Sequence, residues 1–124
     1  MARRKSPTLT DAELRLMQVI WDRKSATAAD VLAMLPDADL AYTTVLNTLR
    51  ILEAKGYLRH SKEGKAFVYH PLIDRTEASR AALRHIVSRF FFDSPQLLVS
   101  NLIRDEQLSK RDLQRLKQLI EESE

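Results

Sequence analysis

Hydrophobic residues recur at helical spacing in six segments of the chain, and they alternate with polar residues in two shorter ones. The helical segments are Thr10–Asp22, Thr27–Leu35, about Leu40–Lys55, about Asp74–Phe91, Pro95 to about Arg104, and a last helix that follows Ser109. Thr10, Thr27 and Ser109 are each followed three positions later by an acidic residue, the pattern of a side-chain cap at a helix start. The pattern predicts a mainly α protein. The apolar face predicted for the first helix consists of Leu9, Leu14, Met17, Ile20 and Trp21.

The two alternating segments, Tyr57–Ser61 and Lys65–Tyr69, directly follow the third helix and are joined by a predicted turn at Glu63-Gly64. The glycine permits the positive φ that a tight hairpin turn needs. Ser25-Ala26 is a candidate for a further short edge strand. A helix followed at once by a basic β-hairpin is the centre of a winged helix, so the small β-hairpin points to that fold. The predicted parts are a winged helix-turn-helix domain, residues 1–72, and a helical dimerisation domain, residues 73–124.

The third helix carries two faces of opposite character. At about 100° per residue, Val45, Leu49 and Leu52 share one narrow side, which must face the core. Thr43, Asn47, Arg50 and Ala54 share the opposite side, as short hydrogen-bonding side chains and an arginine. Asn pairs with adenine, Arg with guanine or phosphate, and Thr with base edges or the thymine methyl. An ordinary solvated helix face, which more often carries Glu and Lys, remains the alternative.

Cations near this helix are candidates for contacts with DNA phosphates. A winged helix usually places its third helix in a DNA groove. Arg59, Lys62 and Lys65 lie on the hairpin beside this helix. Tyr42 and Thr44 lie at the helix N-terminus, where backbone N–H groups also favour phosphate. A charged tip keeps any hairpin edge soluble, so the lysines alone do not require a nucleic acid.

Charge is distributed unevenly between the two halves of the chain. Residues 1–71 carry 11 Lys and Arg against 8 Asp and Glu, whereas residues 72–124 carry 9 of each. The net charge of +3 is small, but all of it lies in the half with the helix and hairpin. Arg3, Arg4 and Lys5 form a short arm that is either a frayed terminus or a further contact with phosphate.

Composition excludes several functional classes. The chain has 124 residues and no cysteine, which rules out disulfides, zinc-thiolate sites and a cysteine nucleophile. Its three histidines are scattered without metal-ligand spacing, so neither a metal nor a cofactor is expected. No nucleophile, base and orienting group converge around acids such as Glu53 or Asp74, so no enzyme is predicted. Without an apolar run of about 18 residues or a signal peptide, the expected location is cytoplasmic.

The C-terminal segment has more apolar side chains than about 50 residues can bury alone, which suggests that a second copy of the chain covers them. A cofactor-binding cluster at Phe90, Phe91 and Phe92 is the weaker interpretation, because aromatic anchors concentrate in interfaces. The residues predicted to form a homodimer are Ile86, Phe90, Phe91, Leu98, Leu102, Leu113, Leu116 and Ile120.

Three stretches, TDAELRLMQVIW, AYTTVLNTLRILEAKGYL and GKAFVYHP, together resemble the penicillinase-repressor (BlaI/MecI) family, which includes the copper-responsive CopY branch. The resemblance extends from about Leu9 to Ile120. It implies a winged-helix transcriptional repressor whose dimers bind a two-fold symmetric DNA operator. A winged-helix module that binds proteins and not specific DNA is the alternative function; it would lack the basic hairpin and the polar helix face.

The resemblance also implies a control mechanism. Several family members are inactivated when a membrane metalloprotease sensor triggers cleavage after an asparagine, and Asn101-Leu102 is the matching bond. A plain polar residue on an amphipathic helix is the alternative for Asn101. Two departures limit the transfer: Ile51 stands where the family often has arginine, and the cysteine pairs of the copper-responsive branch are absent, which excludes copper sensing by that chemistry.

Overall fold

The computed structural model describes residues 8–35, 40–105 and 108–123. Its elements, in chain order, are α1 (Asp11–Arg23), β1 (Ala26–Thr27), α2 (Ala28–Met34), α3 (Tyr42–Ala54), β2 (Leu58–Glu63), β3 (Ala66–Pro71), α4 (Arg75–Phe90), α5 (Pro95–Asp105) and α6 (Lys110–Glu122). The prediction of a mainly α chain with a small hairpin is confirmed. The predicted basic arm at residues 3–5 and a loop expected at residues 36–39 lie outside the described residues.

Side-chain caps define the starts of three helices, as the sequence predicts. Thr10, Thr27 and Ser109 each accept a hydrogen bond from the backbone of the third helical residue, whose acidic side chain bonds back to the cap. This reciprocal arrangement satisfies two N–H groups that the first turn would otherwise leave open. The first five helices begin and end within two residues of their predicted bounds, and the sixth begins directly after Ser109, as predicted.

The strands form one antiparallel sheet in the order β1-β3-β2. Glu63 pairs with Ala66, so the turn lies at Gly64-Lys65, one residue later than the predicted Glu63-Gly64. Gly64 has φ +64°, and a glycine at the first turn position fits a hairpin whose twist matches that of its strands. Pairing continues to Pro71, and the edge strand is Ala26–Thr27, shifted by one residue from Ser25-Ala26.

The hydrophobic core lies among α1, α2, α3 and the sheet. Val45, Leu49 and Leu52 are buried on one side of α3, which confirms its predicted core face. In α1 the buried residues include Leu16, whereas Leu14, predicted on the apolar face, is partly exposed. The remaining largest buried side chains are Met17, Ile20, Val31, Leu58 and Tyr69.

The chain divides into two compact units, one up to residue 83 and one from residue 84. The first unit includes the start of α4, because the Trp21 Nε1–H donates to the Ile73 carbonyl at 2.9 Å and Arg75 pairs with Asp22 at 3.0 Å. Ala78 is buried against the same core. The domain boundary placed after residue 72 stays a prediction.

Candidate nucleic-acid interface

Helix α3 is fixed by its buried face and exposes the opposite one. Thr43, Asn47, Arg50 and Ala54 are all exposed along this second face, as the helical period predicts. Ile51 is exposed as well and lies about 40° around the helix from Asn47, so an apolar side chain borders the polar set. The exposed face therefore combines amide, hydroxyl, guanidinium and aliphatic groups.

The N-terminus of α3 differs from those of α1, α2 and α6. Its N-cap residue is Ala41, whose side chain offers no acceptor to the first-turn N–H groups. Tyr42 and Thr44, predicted to lie near phosphate, are exposed in this first turn. An anion at this helix end would therefore meet backbone N–H groups that no cap side chain occupies.

The hairpin divides its basic residues between the two sheet faces. Lys62 pairs with Phe67 on the face that also carries buried Leu58 and Tyr69, whereas Arg59 pairs with His70 on the other face. Lys65 lies in the turn itself. All three cations are exposed, but the structure brings Lys62 and Lys65 to the α3 side and leaves Arg59 on the far side of the hairpin.

A cleft of about 380 Å³ separates α3 from the hairpin, with Arg50 on one wall and Lys65 on the other. Two predicted cations thus face one groove, which also exposes Phe67, an aromatic side chain not selected from the sequence. Further residues of the cleft are Tyr42, Leu46, Tyr69 and the Thr27–Ala29 segment. Burial, with the nearby Glu53 carboxylate adding to it, raises the pKa of Tyr69, so its hydroxyl remains protonated and neutral.

A hydrogen-bonding contact links α3 to the hairpin. The His60 Nδ1 lies 2.8 Å and 2.9 Å from the two carboxylate oxygens of Glu53. The imidazole also lies 4.9 Å from the Phe67 ring and 5.9 Å from the Tyr69 ring, measured between centroids. From the sequence, His60 is expected only as part of the predicted strand Tyr57–Ser61, and no partner is predicted for Glu53. The only sign of this contact in the sequence is an acidic residue one helical turn after Arg50, followed by a histidine in the next strand.

A second pair holds the far end of α3. The Lys55 ammonium donates to Glu13 Oε1 at 2.7 Å, and the same oxygen accepts the Thr10 backbone N–H at 2.9 Å. Burial opposes ionisation of Glu13, but these donors outweigh it and hold its pKa below the ordinary value of 4.5. Glu13 thus caps α1 and fixes the C-terminal end of α3 with one carboxylate.

All of the residues predicted to form the dimer lie in the second unit, and each leaves part of its apolar side chain exposed. Phe91, Leu98 and Leu113 are half-buried, and the more exposed members are Ile86, Phe90, Leu102, Leu116 and Ile120. Neither α5 nor α6 contains a fully buried side chain among its described residues. An apolar groove of about 570 Å³ runs between these helices past Val99, Ile103 and Ile120. Dimerisation through these residues stays a prediction.

The predicted cleavage bond lies inside a helix. Asn101 and Leu102 are both within α5, and the Asn101 side-chain amide donates to the Leu97 carbonyl at 2.8 Å. Within residues 8–35, 40–105 and 108–123, no cluster of three or more potential metal ligands is present. In the same part of the chain, no helix combines the length and hydrophobicity needed to cross a membrane.

Comparison with known proteins supports the fold described above. The model of one protein family, described as penicillinase repressor, matches residues 9–122. The penicillinase repressor of Bacillus licheniformis is 32% identical over 120 residues, which cover 96% of this chain and 94% of the relative. The methicillin resistance regulatory protein MecI of Staphylococcus aureus (strain N315) is 22% identical over 117 residues, covering 94% and 95%.

A solved structure of a DNA-binding domain is similar to part of the chain. The solution structure of the DNA-binding domain of the repressor BlaI is 38% identical, with a TM-score of 0.52, and covers 60% of this chain and 93% of that one. The resemblance noted in the sequence and the winged-helix fold are therefore confirmed. The chain belongs to the penicillinase repressor family of DNA-binding transcriptional repressors, which are not enzymes.

Proposed function

We propose that this chain is a homodimeric repressor that binds a two-fold symmetric operator, with α3 in the major groove. The observation that carries the proposal is the exposed polar face of α3, directly opposite a fully buried face and beside a basic hairpin. A polar face on a rigidly packed helix can present side chains to base edges at fixed positions. The expected cytoplasmic location belongs to the same proposal.

The residues divide into two roles. Thr43, Asn47 and Arg50 read base edges, since their side chains match the donors and acceptors of the major groove. Contacts to phosphate set the register of the helix and come from Tyr42, Thr44, Lys62 and Lys65, whereas Arg59, on the far side of the hairpin from α3, is left out of this set. Ile51 adds an apolar contact suited to a thymine methyl, so the operator is expected to differ from that of relatives with arginine at this position.

Two alanine variants separate base reading from phosphate contact. The duplex is the DNA upstream of the protein's own gene, narrowed by footprinting, and the comparison duplex has scrambled sequence. We expect Asn47→Ala to cost about 1–3 kcal/mol on the operator and little on the scrambled duplex. Lys65→Ala should weaken both duplexes to a similar degree and reduce the salt dependence, because it removes a phosphate contact.

The outcome also decides between the two functions considered from the sequence. If Asn47→Ala weakened binding to both duplexes equally, the base-reading role of Asn47 would be refuted. A wild-type protein with no preference for the upstream DNA at about 0.1 M salt would instead favour a module that binds proteins. Thr48→Ala is a matched control on the same helix, because the Thr48 hydroxyl bonds internally to the Thr44 carbonyl and should leave DNA binding unchanged.

The proposed dimer uses the apolar surfaces of α4, α5 and α6. Because two copies of α3 would meet one duplex, the half-sites are expected about one helical turn apart or at a multiple of it. Sedimentation velocity should give twice the monomer mass for the wild type, and Leu116→Lys should shift it to the monomer mass. Lys117→Glu is the control at the neighbouring position. A monomeric wild type at operator-binding concentrations would refute the dimer.

The proposal extends to induction, in which a membrane sensor metalloprotease triggers cleavage of the repressor. Cleavage after Asn101 requires α5 to unwind locally, because the bond and the Asn101–Leu97 hydrogen bond lie inside the helix. Mass spectrometry of the protein from induced cells should then show fragments ending at Asn101 and starting at Leu102. Intact protein under every inducing condition, while repression is relieved, would contradict this route.

A further inference from the structure

Phe67 is an exposed aromatic side chain of the candidate interface to which the proposed DNA contacts give no role. It lies on β3 and is 44% exposed. Its ring contacts the His60 imidazole, with the two centroids 4.9 Å apart and the planes tilted by 48°. His60 Nδ1 in turn lies within 2.9 Å of both Glu53 carboxylate oxygens, so the support continues to α3. The ring is therefore held in place while much of its surface stays open to solvent.

Cations surround this ring on the side of the hairpin that faces α3. Lys62 pairs with Phe67 across the two strands, so the two side chains project from the same sheet face. Lys65 and Phe67 both line the cleft of about 380 Å³, and Arg50 lines its opposite wall. Among the described residues that line the cleft, none is acidic. An apolar ring between cations matches a nucleic-acid strand, in which the largely apolar face of a sugar follows each phosphate.

The position of the cleft determines which part of such a strand the ring would meet. With α3 in the major groove, the strand that borders this groove runs between α3 and the hairpin. The hairpin then contacts the strand from its minor-groove side. The 2′ position of each sugar faces the minor groove. Phe67, on the hairpin wall of the cleft, would therefore meet a sugar near its 2′ carbon, beside the phosphate that Lys65 contacts.

We propose that Phe67 packs against one deoxyribose of the strand held by Lys65, and that this contact makes the interface select DNA over RNA. A deoxyribose presents only C–H groups at its 2′ carbon, which suits an aromatic ring. A ribose presents a hydroxyl there, and burying a hydroxyl against the ring without a hydrogen-bond partner is unfavourable. This inference rests on the proposed binding of DNA by α3 and the hairpin.

The salt dependence of binding separates this apolar contact from a phosphate contact. Phe67→Ala should weaken binding of the upstream duplex about three- to tenfold, since less than half of the phenylalanine remains to be buried. The scrambled duplex should show a similar loss, because every nucleotide offers a sugar. The slope of log affinity against log salt concentration should stay at the wild-type value, whereas Lys65→Ala should reduce it. Fluorescence anisotropy between about 0.05 and 0.2 M salt measures both quantities.

Single ribonucleotides test the sugar contact itself. They are placed one at a time along each strand of the upstream duplex, and the wild type and Phe67→Ala are titrated with every duplex. At one position of each half-site, the ribonucleotide should weaken binding of the wild type about fivefold or more, because its 2′ hydroxyl loses water without gaining a partner. Phe67→Ala should bind that duplex and the all-DNA duplex equally.

Two variants control for damage to the hairpin. Phe67→Leu keeps an apolar side chain and should recover most of the affinity that Phe67→Ala loses. Leu72→Ala removes another exposed apolar side chain, directly after β3 and outside the cleft, and should bind DNA like the wild type. Circular dichroism verifies that each variant is folded.

The sugar contact and the proposed function fail in different ways. A Phe67→Ala variant with wild-type affinity, or with a reduced salt slope, overturns the apolar contact and leaves DNA binding intact. A ribonucleotide scan in which no position distinguishes Phe67→Ala from the wild type overturns the selection of DNA over RNA. Equal losses for Leu72→Ala and Phe67→Ala assign the effect to the stability of the hairpin and also overturn the contact. A wild type that binds no DNA overturns the proposed function itself.

Discussion

Replacing Lys55 by methionine should destabilise the first unit by leaving the Glu13 carboxylate buried without its cation. The side chains of Lys55 and Glu13 are 16% and 7% exposed, and Nζ and Oε1 are 2.7 Å apart. Breaking a fully buried pair costs about 3–5 kcal/mol. Glu13 retains the Thr10 N–H, so we expect a loss of about 2–4 kcal/mol in the free energy of unfolding. Methionine keeps most of the aliphatic stem, which limits the loss of packing.

The assay is urea unfolding at pH 7, followed by far-UV circular dichroism. Glu13→Gln with Lys55→Met completes a double-mutant cycle, in which the double variant should lose less than the sum of the single losses. Glu121→Gln, on the exposed surface of α6, is a control expected to change stability by about 0.5 kcal/mol or less. A loss below about 1 kcal/mol for Lys55→Met, or additive losses in the cycle, would refute the claim that this pair fixes α3.

The same pair predicts a direction for acid sensitivity. The pKa of Glu13 is lower in the folded protein than its ordinary value of 4.5, so its ionised form stabilises the fold above that value. This stability is lost as the pH falls below 4.5 and through the lower folded pKa. Lys55→Met should therefore show a shallower loss on the acid side than the wild type. An unchanged acid slope would mean that other carboxyl groups account for it.

Three further substitutions have outcomes fixed by local geometry. Leu49→Ala, at a fully buried position of α3, should cost about 2–5 kcal/mol in urea unfolding, whereas exposed Thr43→Ala should stay within about 0.5 kcal/mol. Gly64→Ala should cost about 1 kcal/mol from its φ of +64° alone, because no atom lies within 4 Å of the added Cβ, and Gly64→Asn should cost less. Trp21→Phe should lose about 1 kcal/mol with the hydrogen bond to the Ile73 carbonyl; an unchanged stability would show that the bond contributes nothing.

Periodicity and capping chemistry act over three to four residues, and the features that depend on them follow from the sequence. The three Ser/Thr caps and the buried face of α3 are of this kind. Errors of one residue arise where neighbouring positions are nearly equivalent. Leu14 and Leu16 both suit an amphipathic α1, and only packing against the other elements selects Leu16 for the core. The observed hairpin turn lies one residue later than the predicted one, because a glycine fits the first turn position as well as the second.

Contacts between distant residues leave no local signal. Glu13 and Lys55 are 42 positions apart, and either one alone resembles an ordinary surface charge. Glu53 and His60 are seven apart, but they lie on a helix and a strand whose relative placement is set by the core. Side-chain spacing identified which face of α3 is exposed. The spacing did not identify the charge of Glu53 beside that face. Nor did it show that Arg59 and Lys62 lie on opposite faces of the hairpin.

A symmetric operator would amplify any change on the DNA-reading face of α3, and this gives the dimer and the base-reading role of Asn47 a joint test. If two copies bind one duplex, the second contact is intramolecular and gains roughly 10²–10⁴-fold in affinity without new contacts. Each copy presents its own Asn47, so a loss of about 1–3 kcal/mol per half-site for Asn47→Ala should double on the full operator. The full-length variant should therefore lose about twice as much binding free energy on a two-half-site duplex as on a single half-site. Equal losses would mean that only one copy of α3 engages the operator, whatever the oligomeric state in solution.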